Sequence, residues 1–343
     1  MPQNPRPGPL SRVIPALCTF GVAGLVALSP MLSRETPSAP ARASLLDPAL
    51  APLAREWIEA QFPGRTSVDS GPLVSERDRR LRLGETVYRQ YCAGCHGDEG
   101  YGDGPASEFL VPRPRNFRYG VDPWSPPVYK FRSTASGEAP LIGDLVRTIR
   151  GGLDGSAMPQ HSLVEPRQVE AVAEYLLWLS QRSEFEQAVQ IAWEDEEPDL
   201  ADADEVESFY EDYVLPEAER IRQRYERPMP LTVPLEPEAD AASIARGREV
   251  YLEQGCQECH GETGRGDGSS SPHLVDAWGY PIDPRDLTSG RYRAGGSGRD
   301  LYLRIRGGVA GTPMPAFTSL PEEDVWHLVH YVQSLAHDEE EAK

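Results

Sequence analysis

Two pentapeptides hold the residue types best suited to chemistry: Cys92-Ala93-Gly94-Cys95-His96 and Cys256-Gln257-Glu258-Cys259-His260. Each places two thiols three positions apart and a histidine directly after the second. Two such thiols can both reach the vinyl groups of one porphyrin. The histidine then lies under the iron and can bind it through an imidazole nitrogen. The pattern predicts covalent haem attachment, and its occurrence twice predicts two covalently attached haem c groups. Four of the five cysteines in the 343-residue chain are in these motifs. Zinc, dithiol redox chemistry and a disulfide are the other uses of such cysteines. Zinc wants four converging Cys/His ligands, whereas each motif offers three and is followed by glycine. A dithiol pair usually opens a helix after a strand in an α/β pattern, and neither motif has that setting.

The surroundings of the two motifs repeat. Leu83-Gly84-Glu85-Thr86-Val87-Tyr88 precedes the first and Arg246-Gly247-Arg248-Glu249-Val250-Tyr251 the second. Glycine-rich loops follow, with Gly100, Gly102 and Gly104 answering Gly264, Gly266 and Gly268. Pro114-Arg115-Asn116-Phe117 answers Pro284-Arg285-Asp286-Leu287, and Ile149-Arg150-Gly151-Gly152 answers Ile305-Arg306-Gly307-Gly308. Last, Gly155-Ser156-Ala157-Met158-Pro159 answers Gly311-Thr312-Pro313-Met314-Pro315. Each copy ends in an apolar-periodic helix. One offset stands out: Gly247 is one residue farther from its motif than Gly84.

This order resembles the class I cytochrome c fold duplicated in tandem, over roughly 79–182 and 241–336. The resemblance implies a helix leading into each motif, a later methionine as sixth iron ligand, and a C-terminal helix packed across the first. Met158 and Met314 occupy the matching places. The implied cofactor-binding set is Cys92, Cys95, His96 and Met158 with Cys256, Cys259, His260 and Met314, the two histidines and two methionines being the iron ligands. The other role for these methionines is core filling, but both lie in glycine-proline loops rather than apolar runs. His161, three residues past Met158, is an alternative ligand whose repeat partner is Phe317. His273 has no counterpart, and His327 and His330 fall on the last helix. A proline carbonyl is expected to orient each ligand histidine, from Pro112 or Pro114 and from Pro281 or Pro284. Arg115 and Arg285 are candidates either for haem propionates or for solvent.

The elements that position these residues are mainly helical. Leu83, Val87 and Tyr91 recur at helical spacing before the first motif, with Tyr88 on the adjoining face. The first closing helix begins near Glu165-Pro166 and carries Val169, Val172, Ala173, Leu176, Leu177 and Leu179. The second begins near Pro321-Glu322 and carries Val325, Leu328, Val329, Val332 and Leu335. Tyr175 and Tyr331 are expected to touch the entering helices. Short helices near 144–150 and 300–306 should flank each porphyrin. The fold class is mainly α: two tandem cytochrome c-like helical haem domains with long loops, an N-terminal signal or anchor segment and an acidic inter-domain segment. The expected divisions are 1–43 signal or anchor, 44–78 linker, 79–182 first domain, 183–240 acidic and Pro-rich connector, 241–337 second domain and 338–343 acidic tail.

Charge bounds the partners. The net charge is −20, and residues 1–43 carry four arginines and one glutamate, which leaves −23 for the rest. Such a surface repels nucleic acid and attracts a basic docking patch on a redox partner, in a salt-dependent way. From Glu194 to Asp212 there are eleven acidic side chains and no basic one. That run reads as a solvated linker or as a docking surface. The uncharged stretch 13–33 follows Arg6 and Arg12 and reads as an export signal or an N-terminal membrane anchor. Cys18, the fifth cysteine, lies within it as an apolar filler. Either reading puts the haem domains outside the cytoplasm, on the periplasmic side of the membrane.

Two His/Met irons have no vacant site, so the expected function is single-electron transfer between respiratory or dehydrogenase partners, as a free carrier or as a subunit of a larger respiratory complex. The alternative is a dihaem oxidoreductase, peroxidase-like or small-anion oxidising, in which one iron opens its sixth site.

Overall fold

The computed structural model describes residues 46–63, 75–118 and 129–341, with the side chains of 337–341 excepted. The expected signal or anchor over 1–43, with its apolar stretch 13–33, lies outside the described residues. Along the chain run α1 (Ala51–Gln61), α2 (Glu76–Tyr91), α3 (Ala93–His96), α4 (Ile142–Gly151), α5 (Pro166–Glu196), α6 (Ala203–Phe209), α7 (Leu215–Glu226), α8 (Ala241–Glu253), α9 (Cys256–His260), α10 (Gly298–Gly307) and α11 (Glu322–Glu341). Among the described residues the only strand-like pairings are two isolated bridges, and no helix is long and apolar enough to cross a membrane.

Each repeat is built on one crossing of two helices. Ser75 caps α2 in a reciprocal pair with Asp78, satisfying donors that the first turn leaves unpaired. Val87 and Tyr88 then pack against Val169, Val172, Tyr175 and Leu176 of α5. In the second repeat Val250 and Tyr251 of α8 pack against Val325, Leu328, Val329 and Val332 of α11. Burying such side chains contributes about 1.5–3 kcal/mol each. Glycine lets the helices meet: a Cβ at Gly84 would collide with the Ala171 carbonyl, and one at Gly247 with the His327 carbonyl. The tyrosines at the crossings also pair, with ring centroids 5.4 Å apart for Tyr88 and Tyr175 and 5.3 Å for Tyr251 and Tyr331.

Several expectations require correction. Tyr91 is not in the core stripe of α2; it is 46% exposed, and Tyr88 is fully buried in its place. The face that packs is the one holding Gly84, because only there can the two backbones close up. Helix α5 continues past residue 182, the expected end of the first domain, to Glu196, ending where Glu197 turns left-handed ahead of Pro198. Its extension forms a third apolar cluster. Phe185 and Val189 pack with Trp57 and Ile58 of α1, Phe209 of α6, and Ala218 and Ile221 of α7. Residues expected as linker (44–78) and as acidic connector (183–240) therefore contribute helices to one shared core. The Pro-rich stretch after α7 is tied down as well: the Leu231 N–H donates to the Ser133 carbonyl at 2.9 Å and the Ala135 N–H to the Met229 carbonyl at 3.1 Å.

Candidate functional site

Both pentapeptides fold as a short helical turn, α3 and α9, at the end of the entering helix. The one-residue offset between the repeats is absorbed by Gly255, left-handed at φ 72°, which inserts a turn between α8 and Cys256. Cys92 follows α2 with no such insertion. From there the repeats make matching hydrogen bonds. The Tyr88 hydroxyl donates to the Gly97 carbonyl and the Tyr251 hydroxyl to the Gly261 carbonyl, both at 2.7 Å. The glycine-rich loops wrap back over the motifs: Gly102 N–H to the His96 carbonyl and Gly266 N–H to the His260 carbonyl, both at 2.8 Å.

The two motif histidines are oriented in the same way. His96 Nδ1 lies 2.9 Å from the Arg115 carbonyl, and His260 Nδ1 lies 3.0 Å from the Arg285 carbonyl. A neutral imidazole donating from Nδ1 to a carbonyl keeps the Nε2 lone pair available for a metal. Burial holds His96 at about 4 and pushes His260 in the same direction, so both rings stay neutral at neutral pH. The orienting carbonyl belongs to arginine, not to the expected proline. The Pro114 and Pro284 carbonyls point instead at Gly102 and Gly266, where a Cβ would come within 2.7 and 2.9 Å of them. Successive carbonyls along a non-helical stretch face opposite ways, so the group that reaches the histidine is one residue further on. The His96 ring also stacks on Phe117 at 4.6 Å.

The two methionine turns share one construction. The Ser156 hydroxyl donates to the Leu153 carbonyl at 2.7 Å, and its oxygen accepts the Met158 N–H at 3.2 Å. The Leu153 N–H donates back to the Met158 carbonyl at 3.2 Å. Thr312, Val309 and Met314 repeat this set at 2.7, 3.3 and 3.2 Å. These hydroxyls were missed as positioning groups, although the sequence carried a signal in the Ser or Thr two residues before each methionine.

In the first domain the thiols of Cys92 and Cys95, His96 and Met158 all line one cavity of about 220 Å³, whose walls include Leu145, Ile149 and Phe117. His161 lines it too, beside the Tyr91 ring at 6.1 Å, while its N–H donates to the Ile149 carbonyl as Phe317 does to Ile305. In the second domain Cys256 and Met314 both pack against the domain core, with Cys259 and His260 on the adjoining turn. These sets fit a covalently held porphyrin: two thiols, a neutral imidazole and a thioether among apolar walls. They do not fit the other uses of cysteine. No disulfide joins any of the four motif cysteines. Burial pushes Cys92 up to about 12 and Cys256 to about 11, whereas a dithiol exchange site needs a depressed thiol. Among the described residues no group of three or more His, Cys, Asp or Glu side chains converges as a metal site would require.

The two domains meet at these sites. Asp276 accepts the N–H groups of Trp278 and Tyr280, both at 3.0 Å, and so shapes a turn that presents Trp278 to the first domain. The Arg115 guanidinium stacks on the Trp278 ring at 4.0 Å, and Arg113 lies over Tyr280 at 5.2 Å. Reciprocally, Arg285 reaches the first methionine turn, where a Cβ at Gly155 would collide with its guanidinium, and Arg293 Nη2 donates to the Gly155 carbonyl at 3.2 Å. Each domain thus offers its histidine a carbonyl from the arginine whose side chain crosses to the other domain. Neither arginine is turned to bulk solvent.

Comparison with known proteins points to the same family of domains. The family model for cytochrome c matches residues 244–336. That for the cbb3-type cytochrome c oxidase subunit III matches residues 79–176. Among solved structures, a chain of the Kuenenia stuttgartiensis reducing HAO-like protein complex Kustc0457/Kustc0458 is 34% identical, with a TM-score of 0.57; the match covers 77% of this chain and 97% of that one.

Proposed function

The chain belongs to the c-type cytochromes, as a tandem dihaem member with two class I cytochrome c-like domains and two covalently attached haems, and from that premise we propose that it passes single electrons between protein partners through two His/Met-ligated centres. A bound haem supplies a one-electron iron couple, and His/Met ligation raises its potential. The protein's residues do the rest. Cys92, Cys95, His96 and Met158 would hold the first group, and Cys256, Cys259, His260 and Met314 the second. The carbonyls of Arg115 and Arg285 fix the two imidazoles, and the hydroxyls of Ser156 and Thr312 fix the two thioethers. Leu145, Ile149 and Phe117 exclude water from the first site.

The observation that carries this reading is the repetition of one hydrogen-bond scheme around both histidines and both methionines. The two methionine turns are built alike, which favours a thioether ligand in each domain, and a haem held by both histidine and methionine would pass electrons rather than activate peroxide. The similar solved chain is part of a complex described as reducing and HAO-like. That supports a place for this chain as the electron-transfer subunit of an oxidoreductase assembly, docked through its acidic surface to a basic partner. Residues 13–33 support export to the periplasmic side, anchored or released.

Optical and EPR spectra of the ferric protein, with haem stoichiometry, test the proposal on the wild type and on Met158→Ala and Met314→Ala. Two low-spin haems are expected, each losing its methionine signature in one variant only. A high-spin or ligand-accepting haem in the wild type overturns the reading in favour of catalysis at an open iron.

A further inference from the structure

The first cavity is not closed by the first domain alone. Asp276, Trp278, Tyr280 and Arg293 of the second domain form part of its wall. Its lining holds four cationic side chains, Arg113, Arg115, Lys130 and Arg293, against one carboxylate, Asp276, in a protein whose net charge is −20. Asp276 does not balance them: one oxygen is taken by the Trp278 and Tyr280 N–H groups, and the other lies 4.0 Å from Lys130. Arg115 Nη2 and Arg293 Nε are buried with no hydrogen-bond partner. Unpaired buried donors on charged groups are costly, so this wall is built for an anion.

Lys130 and Arg293 are repeat equivalents. Each follows a tyrosine whose hydroxyl donates to a carbonyl midway along the closing helix: Tyr129 to Leu176 at 3.4 Å and Tyr292 to Val332 at 3.2 Å. Both cations nevertheless line the same cavity, because the domain boundary passes through it. A porphyrin held by Cys92 and Cys95 carries two propionate carboxylates that need such partners, and a planar guanidinium matches a carboxylate fork. Resting on the two-haem reading above, we propose that Arg293 of the second domain, with Arg115 and Lys130 of the first, binds the propionates of the first haem. The second domain thereby completes the first haem site and sets its potential.

A cation beside the propionates favours the reduced iron, so removing it lowers the potential. Spectroscopic redox titration of the full holoprotein tests this on the wild type, Arg293→Gln, Arg293→Lys and, as a surface control, Arg299→Gln. The first haem is identified as the one that responds to Met158→Ala. Arg293→Gln is expected to reduce the equilibrium constant for first-haem reduction on the order of tenfold, which is about 59 mV for one electron. The second haem should move less, Arg293→Lys should stay near wild type, and Arg299→Gln should move neither. Loss of the first haem alone, rescued by Arg293→Lys, supports the proposal equally. If Arg293→Gln does not fold, Lys130→Met carries the same test. An unmoved first potential in protein with two low-spin haems overturns this inference and leaves the electron-transfer reading intact, as do equal shifts in the Gln and Lys variants. A wild type without two low-spin haems overturns both.

Discussion

At the scale of single residues, the histidines divide by what their ring nitrogens meet. His96 and His260 give Nδ1 to a backbone carbonyl. His330 is different: only 2% exposed, it faces the Ser243 hydroxyl at 2.6 Å, which His327 shares at 2.8 Å. Glu236 lies 3.9 Å from its other nitrogen, and Asp240 lies near enough to favour the charged ring. Burial outweighs both acids and holds His330 below the ordinary histidine value. The unfolded chain therefore takes up this proton first as pH falls below about 6.5. Stability of the second domain should decline from there down to the lower native pKa. His330→Gln should flatten that part of the profile in denaturant titrations between pH 7 and 5; an unchanged slope would show that His330 contributes nothing to it.

At the scale of elements, the helix crossings decide whether the sites form at all. The α2–α5 and α8–α11 pairs approach so closely that Gly84 and Gly247 leave no room for a methyl group against a neighbouring carbonyl. Backbone cannot yield as a side-chain tip can, so Gly84→Ala should cost at least the ~1–3 kcal/mol typical of overpacking. The loss should appear in thermal unfolding followed at the first haem, with Gly247→Ala acting on the second. Equal melting of wild type and variant would mean that the helices can slide apart without penalty. These glycines were legible as repeat partners, but a repeat does not say which helix face closes. Tyr91 fitted the apolar spacing as well as Tyr88 did, and only the crossing point turns one inward and the other toward the cavity.

At the scale of the whole molecule, the segments outside the repeats act as structure. Trp57 packs on Phe209 and Tyr210 with centroids 6.0 and 5.4 Å apart, joining a helix that precedes the first haem domain to one that follows it. Trp57→Ala should cost about 3–5 kcal/mol. Hydrogen exchange should show the loss in α1, α6 and α7, while both haems stay attached. Loss of either haem would mean that this third cluster is needed to build the sites. The acidic run from Glu194 to Asp212 decorates this unit, because Phe209 within it is only 3% exposed. Its charges therefore lie on the surface of a packed unit.

Covalent attachment chemistry was determined by sequence alone, because thiol spacing and an adjacent histidine are local properties that no fold alters. So were the tandem repeat and the apolar faces of the closing helices. The continuation of α5 was also written locally: Trp178, Phe185, Val189 and Trp193 keep near-helical spacing and no glycine or proline interrupts them. Only the tertiary structure decided which carbonyl orients each histidine, since that depends on how an extended segment turns beside the glycine-rich loop. It alone joined residues 51–61 to 203–226 in one core, and it alone brought Arg293 of one repeat to the cavity of the other. Contacts between segments far apart in the chain follow from packing geometry, which spacing along the chain does not encode.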